Sequence, residues 1–382
     1  MTGKLVILRI RHLLQAKFFL FYAIACLLLN VYIADITFAN QTYPKYLADF
    51  TRDNGIEITE KSIAAGESLE DSLQKNVLVS DLYSISNPWE EVTAKDIYSQ
   101  LSDLVPMIRN QKLMEQKYAK LQDRIDQIQN QKEYLHLSCG SYTSDIYDSL
   151  FSMLMRLVTL EILLYASGIA IWTAYEDRQA CTEQSIAATK TGRNIQKTGY
   201  IASLILVFAT WIFIAGGTFL YLCIYCHLDS FLRSSLSTGF HIRFSSVMPI
   251  PFVSWIPLTG MHALQIHLLL QFVLACIFHG ISYALSLRQN SSLQTLMTLF
   301  SSVLLLFLAA YVFVRTDLFA LFELSVWNPV MTAYLEYMWF TDMDLYSVIP
   351  MQETWICIVW IIITIVMVLT GLKIYFRKDL NA

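Results

Sequence analysis

One cysteine–histidine cluster has a spacing that could do chemistry. Cys223-Ile224-Tyr225-Cys226-His227 is C-x-x-C-H, the arrangement used for covalent haem attachment. Two thiolates beside an imidazole could equally hold a metal ion. The motif closes an apolar run, however, where cysteine behaves as a small hydrophobe, and nothing else marks a cytochrome, so packing is the favoured reading. Other chemistry-bearing patterns are missing. No G-x-x-x-x-G-K-[ST] occurs, so the chain has no P-loop for nucleotide. H-E-x-x-H, G-x-S-x-G and paired C-x-x-C motifs are also lacking. The sequence thus assigns no catalytic residue and no metal ligand, and the chain is not read as an enzyme.

A second set of candidates is polar residues stranded in apolar runs: Asp35, Arg156, Glu161, His267, Gln271 and His279. An ionised group at mid-bilayer costs about 2.5–3.5 kcal/mol on insertion scales, so these side chains should face a bundle interior or a cavity. Asp35, Glu161, His267 and Gln271, the last two one helical turn apart, are candidates for the lining of a translocation path. The competing reading is interhelical hydrogen bonding.

The third candidate is the charged stretch from Tyr175 to Lys197. It reads as a short helix with Glu176, Asp177 and Glu183 towards its start and Lys190 and Arg193 towards its end, the order the helix dipole favours. Gly192 is a suitable stop. So short and charged a helix has little to bury by itself. It makes sense as a peg that docks into another protein, or else as a solvated connector.

These residues are positioned by membrane-spanning elements. Of the 382 residues, 55% are hydrophobic and 15% charged, and the mean hydropathy is +0.46. Soluble domains carry about 25% charged residues, so much of this chain must meet lipid. A crossing helix needs about 20 apolar residues. Six stretches qualify: Phe18 to Ala39, Leu150 to Trp172, Gly199 to Tyr225, Ala263 to Leu285, Leu293 to Val314 and Trp355 to Tyr375. The expected fold is an all-α membrane protein. Residues 1–39 form an amphipathic helix and the first span. Residues 40–149 form a helical insertion on the outer side, and residues 150–382 hold the other five spans.

Lys and Arg set the orientation. Lys4, Arg9, Arg11 and Lys17 precede the first span. Arg178, Lys190, Arg193 and Lys197 follow the second, Arg288 follows the fourth, and Lys373, Arg377 and Lys378 close the chain. These segments share one side only if both termini are cytoplasmic. Trp172, Trp255, Trp355 and Tyr375 fall where interfacial belts belong. The N-terminal run is too long for a signal-peptide core and reads as an uncleaved anchor. Before it, Val6, Ile7, Ile10, Leu13 and Leu14 share a helical face opposite Lys4, Arg11, His12 and Gln15, which predicts a helix lying in the interface plane.

Within the insertion, Ile97, Leu101, Leu104 and Ile108, then Met114, Tyr118, Leu121, Ile125 and Ile128, form apolar stripes at helical spacing, interrupted at Pro106. From Pro106 to Leu135 a helix would run about 45 Å at about 1.5 Å per residue. Its narrow stripe should pack on a helix from residues 56–78 or on a second copy of the chain. The seven cysteines are scattered, with Cys139 alone in the insertion, so no disulfide framework organises it. Basic residues are not clustered on any soluble stretch, which excludes nucleic acid as a partner.

Taken together, Glu176, Arg178, Thr182, Gly192, Arg193 and Lys197 resemble the loop after the second span of ABC-transporter permeases of the type 2 export family: an acid, a base, a small-Thr pair, then a basic cluster. Cys181 stands where those proteins usually have glycine. Trp255-Ile256-Pro257-Leu258-Thr259 before the fourth span, Leu285-Ser286-Leu287-Arg288 at its end, Asn328-Pro329, and Tyr375-Phe376-Arg377-Lys378-Asp379 also agree. The likeness covers about residues 4–24 and 150–380. It implies a bacterial plasma-membrane permease that binds no cofactor itself, ATP and magnesium being held by separate ATPase subunits. Those subunits would dock on Glu176, Arg178, Thr182, Glu183, Gly192, Arg193 and Lys197. A second permease chain, identical or related, would complete the pore, and Thr316 to Met351 would form a pair of half-inserted helices capping it. The cargo would be hydrophobic or amphipathic, a peptide or a lipid-like compound. The alternative is a non-transporting sensor or scaffold whose coiled outer domain binds a partner.

Overall fold

The computed structural model describes residues 2–84, 89, 92–104, 111–180, 182, 192–244, 249–316, 318–342 and 346–377. Among them are six helices long and apolar enough to cross a membrane: Lys17–Ala39, Gly140–Gln179, Ile195–Tyr225, Gly260–Arg288, Ser292–Arg315 and Gln352–Arg377. An even number of crossings puts both termini on one face, here the terminal face. The 40–149 insertion marks the other, the insertion face. The chain is almost wholly helical. The exception to the all-α expectation is a two-stranded hairpin in the link between the third and fourth spans, pairing Ile242–Phe244 with Pro249–Pro251.

The fourth span is the packing centre, with the second and sixth against it and the third alongside. Helices approach closely in lipid where residues are small. A Cβ at Gly280 would run into Thr364 of the sixth span, and one at Gly371 would come within 3.4 Å of the Ala284 carbonyl oxygen. Leu264, Leu274, Ala275, Tyr283 and Ala284 are buried. The first and fifth spans are peripheral. In the fifth only Thr295 and Ala310 are buried, and its other faces are covered only by whatever surrounds the chain.

The second span continues well beyond membrane thickness. Its helix begins at Gly140 and contains a wide π-type stretch, Asp148–Met155. Wide turns weaken the i→i−4 ladder and free carbonyls for other donors. Here the Met155 carbonyl accepts Gln271 Nε2 from the fourth span at 3.2 Å.

The insertion folds onto the spans rather than standing apart. Three short helices, Thr42–Asn54, Glu60–Glu67 and Leu73–Tyr83, share a continuous apolar core with the spans through Tyr43, Leu47, Leu78 and Leu82. Thr59 and Ser72 cap the second and third of these. Sequence periodicity was too weak to place them. The striped helix is Gln111–Gln131, about 30 Å long. It is shorter than the expected run from Pro106 to Leu135, because Lys132 takes a left-handed conformation (φ 54°) that ends it. Pro106 and Ile108 lie outside the described residues.

Its stripe of Met114, Tyr118, Leu121, Ile125 and Ile128 is fully buried, but not against residues 56–78 as expected. It packs on the helix Ala94–Leu104 and on Ile250, Val253 and Val348 from the links before the fourth and sixth spans. Charge fixes this seat. Lys117 Nζ, wholly buried, meets Asp342 Oδ1 at 2.6 Å and the Ser347 carbonyl at 3.1 Å. Arg124 grips Glu133 with both terminal nitrogens, at 2.7 and 2.8 Å, and reaches the Ser254 carbonyl with Nε. Burial alone would raise the Glu133 carboxyl, but hydrogen bonds from Arg124 and Ser235 outweigh it and hold it below the usual range.

Two outcomes follow. Lys117→Met removes the lysine from Asp342 Oδ1 in a buried site, leaving the Tyr118 hydroxyl on Oδ2 at 3.3 Å, and should lower the unfolding free energy of detergent-purified protein by about 3 kcal/mol, read by thermal melts. The double change Lys117→Met with Asp342→Leu should recover much of that loss. Asp81 behaves oppositely to Glu133. Burial raises its pKa above 3.8, and the Tyr43 hydroxyl and Ser141 N–H that it accepts offset this only partly. A raised folded pKa means that stability is complete below 3.8 and is lost as pH rises through the folded value. Asp81→Asn keeps an acceptor for both donors, so it should melt above the parent at pH 7, with the gap closing as pH falls towards 3.8.

Candidate functional site

The charged stretch after the second span divides in two. Glu176, Asp177 and Arg178 do not open a separate helix; they are the last full turn of the second span, which runs to Gln179. The dipole argument fails for them, because two acids at a helix C-terminus are unfavourable. Arg9 resolves the conflict. Its Nη2 lies 3.0 Å from Glu176 Oε2 and its Nη1 2.9 Å from Asp177 Oδ1. Nη2 also donates to Asp177 Oδ2 at 3.1 Å and to the Thr173 carbonyl at 3.3 Å. His12 Nε2 approaches the other Glu176 oxygen at 2.6 Å. The N-terminal helix Thr2–Gln15 is thereby clamped across the terminal-face end of the second span.

That clamp rotates the helix away from the expected face. Val6, Ile10 and Leu13 turn inward around Arg9, with Leu13 fully buried, while Ile7, Leu8 and Leu14 point outward. Arg9 had counted only as one more positive charge. Its place between Val6 and Leu13 at helical spacing was the available sign of a buried role.

Arg178 gathers the remaining spans. Nη1 donates to the Gln289 carbonyl at the end of the fourth span at 3.0 Å. Its guanidinium lies 5.2 Å from the ring centre of Tyr175 and 5.8 Å from that of Tyr375 in the sixth span. The Tyr175 hydroxyl meets Thr295 Oγ1 of the fifth span at 3.0 Å. Lys197, at the start of the third span, places Nζ 5.1 Å from the Phe376 ring. Three consecutive residues of the second span thus face the N-terminal helix and the terminal-face ends of the fourth and sixth spans. Thr182 folds back on the Asp177 carbonyl through its N–H at 3.0 Å. Gly192 has φ 45°, a left-handed conformation suited to glycine, and opens the short turn into the third span. Glu183 and Lys190 lie outside the described residues, as does the side chain of Arg193.

The four residues expected to line one path are not brought together. Asp35, in a wide turn ending the first span, accepts the Tyr221 hydroxyl of the third span at 2.7 Å. Glu161 accepts Asn30 Nδ2 of the first span at 2.8 Å, and its carbonyl accepts the Tyr22 hydroxyl at 3.0 Å. His267 and Gln271 do converge, on a residue that sequence reasoning passed over. Glu336 is completely buried, its Oε1 2.7 Å from Gln271 Nε2 and 3.8 Å from His267 Nδ1. Phe151, Trp339 and Phe340 wall in the His267 ring. The sign available for Glu336 was an isolated acid in an otherwise apolar stretch. His279 accepts or donates a 2.8 Å bond with Ser203 of the third span. Asp35, Glu161, Gln271 and His279 are thus each engaged by a hydrogen bond from a neighbouring element, whereas His267 lies beside Glu336 without one.

Glu336 belongs to the segment between the fifth and sixth spans, which forms two short helices, Phe319–Ser325 and Pro329–Tyr334, and a turn, Glu336–Met338. Asn328 caps the second helix through Oδ1 to the Val330 and Met331 N–H groups, at 2.9 and 3.0 Å, with Pro329 at the first helical position.

The C-x-x-C-H motif closes the helix of the third span. Cys226 is buried, its Sγ 3.8 Å from the Ala34 carbonyl, and His227 ends the helix at φ 50°. No group of three metal-ligating side chains occurs among the described residues. Arg9→Met should leave Asp177 without its cation and Glu176 with only His12, and cost about 3 kcal/mol. A lowered melting temperature with faster tryptic cleavage at Lys4 and Arg11 would register the undocked helix. Comparison with known proteins found no matching family model, curated protein or solved structure.

Proposed function

We propose that this chain is the membrane subunit of an ATP-driven exporter, with both termini cytoplasmic and separate ATPase subunits on the terminal face. The observation that carries the reading is the junction at Glu176–Arg178. A force applied to the loop of residues 181–191 would act directly on the second span, which is ion-paired to the N-terminal helix at that point. The same helix touches the insertion-face plug at its far end, through the Tyr147 hydroxyl on the Tyr337 carbonyl at 2.8 Å and the Met155 carbonyl shared with Gln271. A continuous helix that meets a cytoplasmic segment at one end and a capping segment at the other is what conversion of ATPase closure into pore opening needs. In this reading a second permease chain completes the pore, and the cargo is hydrophobic or amphipathic.

The sensor or scaffold reading loses support, because the stripe that would have coiled with a partner is buried inside the chain. The test is co-expression with a P-loop ATPase encoded beside this gene. Glu183→Arg and Arg193→Glu should leave the permease monodisperse and its melting temperature unchanged while reducing ATPase co-purification at least about tenfold, the equivalent of about 1.4 kcal/mol. Undiminished co-purification with both variants would sink the proposal.

A further inference from the structure

Arg156 is a cation at membrane depth with no anion to match it. It opens the regular part of the second span, immediately after the wide Asp148–Met155 stretch. Among the described residues it forms no ion pair and no hydrogen bond, and its Nε is buried without a partner. Its contacts are two aromatic faces, with the guanidinium 4.9 Å from the Tyr334 ring centre and 5.4 Å from that of Tyr337. The rings hold the group in place by cation–π attraction and leave the phosphate-matching fork of N–H donors unused. Glu161, the nearest acid along the helix, is turned to the other side and committed to Asn30.

The surroundings define what could lie there. Met153, Leu160 and Leu164 are 45%, 54% and 57% exposed. With Arg156 they follow spacings of three, four and four, so one face of the second span is an apolar stripe with a guanidinium near its insertion-face end. Tyr334, itself 47% exposed, stands beside the arginine, and its ring packs on Phe307 of the fifth span at 5.2 Å. Arg156 is 16 residues above Trp172, about 24 Å along the axis. Measured from an interfacial tryptophan, that is about 6 Å short of the hydrocarbon thickness of about 30 Å, a gap the arginine stem bridges because helical side chains lean towards the N-terminal, insertion-face end, so the guanidinium reaches the level of the lipid headgroups.

We infer that Arg156, Tyr334 and Tyr337 form a headgroup site for an anionic phospholipid, whose acyl chain lies along Leu160 and Leu164. The phosphate accepts from the terminal guanidinium nitrogens, and a headgroup carrying net negative charge is preferred over a zwitterion. The site requires no transport by this chain, so it stands apart from the exporter proposal.

The experiment is native mass spectrometry of the full chain in detergent, titrated with phosphatidylglycerol or phosphatidylcholine of the same acyl composition. The parent should retain phosphatidylglycerol about fivefold more strongly, the attraction expected from one basic residue near anionic lipid. Arg156→Gln should abolish that preference, whereas Lys4→Gln with Arg11→Gln, on the terminal face, should keep it. If Arg156→Gln does not fold, Tyr334→Leu at an exposed position should weaken the preference. Equal binding of the two lipids to the parent would overturn the inference. So would an unchanged preference in Arg156→Gln or, where that variant fails, in Tyr334→Leu. Displacement of the lipid by millimolar inorganic phosphate would also overturn it, since the site would then be one for a free anion.

Discussion

Inside hydrocarbon no backbone group can be left without a partner, so a chain that must link the two faces of a membrane does so through an unbroken helix. The helix Gly140–Gln179 is that element here. At 40 residues it is about 60 Å long, roughly twice what crossing requires. Its surplus length carries it past the interface on the insertion face, and both ends are engaged by groups that come from elsewhere. Arg9 and His12 hold one end. Tyr337, Gln271 and, through it, Glu336 engage the other. It packs along the fourth span, the packing centre, and the first span is tied to it by the Asn30–Glu161 bond.

A second rule governs the charges. A buried ion pair gains little net stability over an apolar pair of the same shape, yet losing one member is costly. Pairs of this kind therefore specify register more than they add stability. Lys117–Asp342 and Arg124–Glu133 illustrate it. The helix Gln111–Gln131 has a narrow apolar stripe that could slide by a turn along its bed, since one aliphatic residue replaces another. A wholly buried lysine that meets one carboxylate removes that freedom. The same logic applies to Arg9, which selects a single rotation of an N-terminal helix that has apolar residues on two sides. The expected interfacial face and the observed one differ because hydrophobic periodicity cannot rank Ile7 and Leu14 against Val6 and Leu13. An ion pair with residues 167 and 168 positions away can.

This is also where legibility in sequence ended. The six spans were readable to within a few residues at most ends, because hydropathy over about 20 residues is a strong local signal. The insertion-face extension of the second span was not, since residues 140–149 are mixed in polarity and are held helical by tertiary contacts. The stripe from Met114 to Ile128 was readable as a buried face, but its partner was not. That partner is assembled from Ile250, Val253 and Val348, which come from two separate links of little regular structure. Among the candidate site residues, local reasoning placed His267 and Gln271 on one helical face and stopped there. Glu336, which joins them, comes from a segment 65 residues beyond Gln271. Asp35 and Glu161 looked like members of one set because each was an acid in lipid. Each was instead answered by a neutral donor on a neighbouring span, Tyr221 or Asn30, and neutral donors give no hydropathy signal.

The distribution of partners across the membrane has a mechanical consequence. On the terminal face the second span is held by charge–charge contacts among Arg9, Glu176 and Asp177 that are nearly buried, with only His12 at the rim open to water. Near the insertion face the bonds around Gln271 and Glu336 are fully buried, with no water to substitute. Neither end gives way cheaply. A displacement begun at Glu176–Arg178 would therefore carry the N-terminal helix along and be taken up about the buried insertion-face end as a fixed point. The wide turn at Asp148–Met155 lies between the rest of the span and that fixed point, and its weakened ladder makes it the natural place for the helix to bend. Arg156, the first residue past the bend, has aromatic contacts that tolerate sliding more readily than a hydrogen-bonded pair, so it can keep its rings through such a motion.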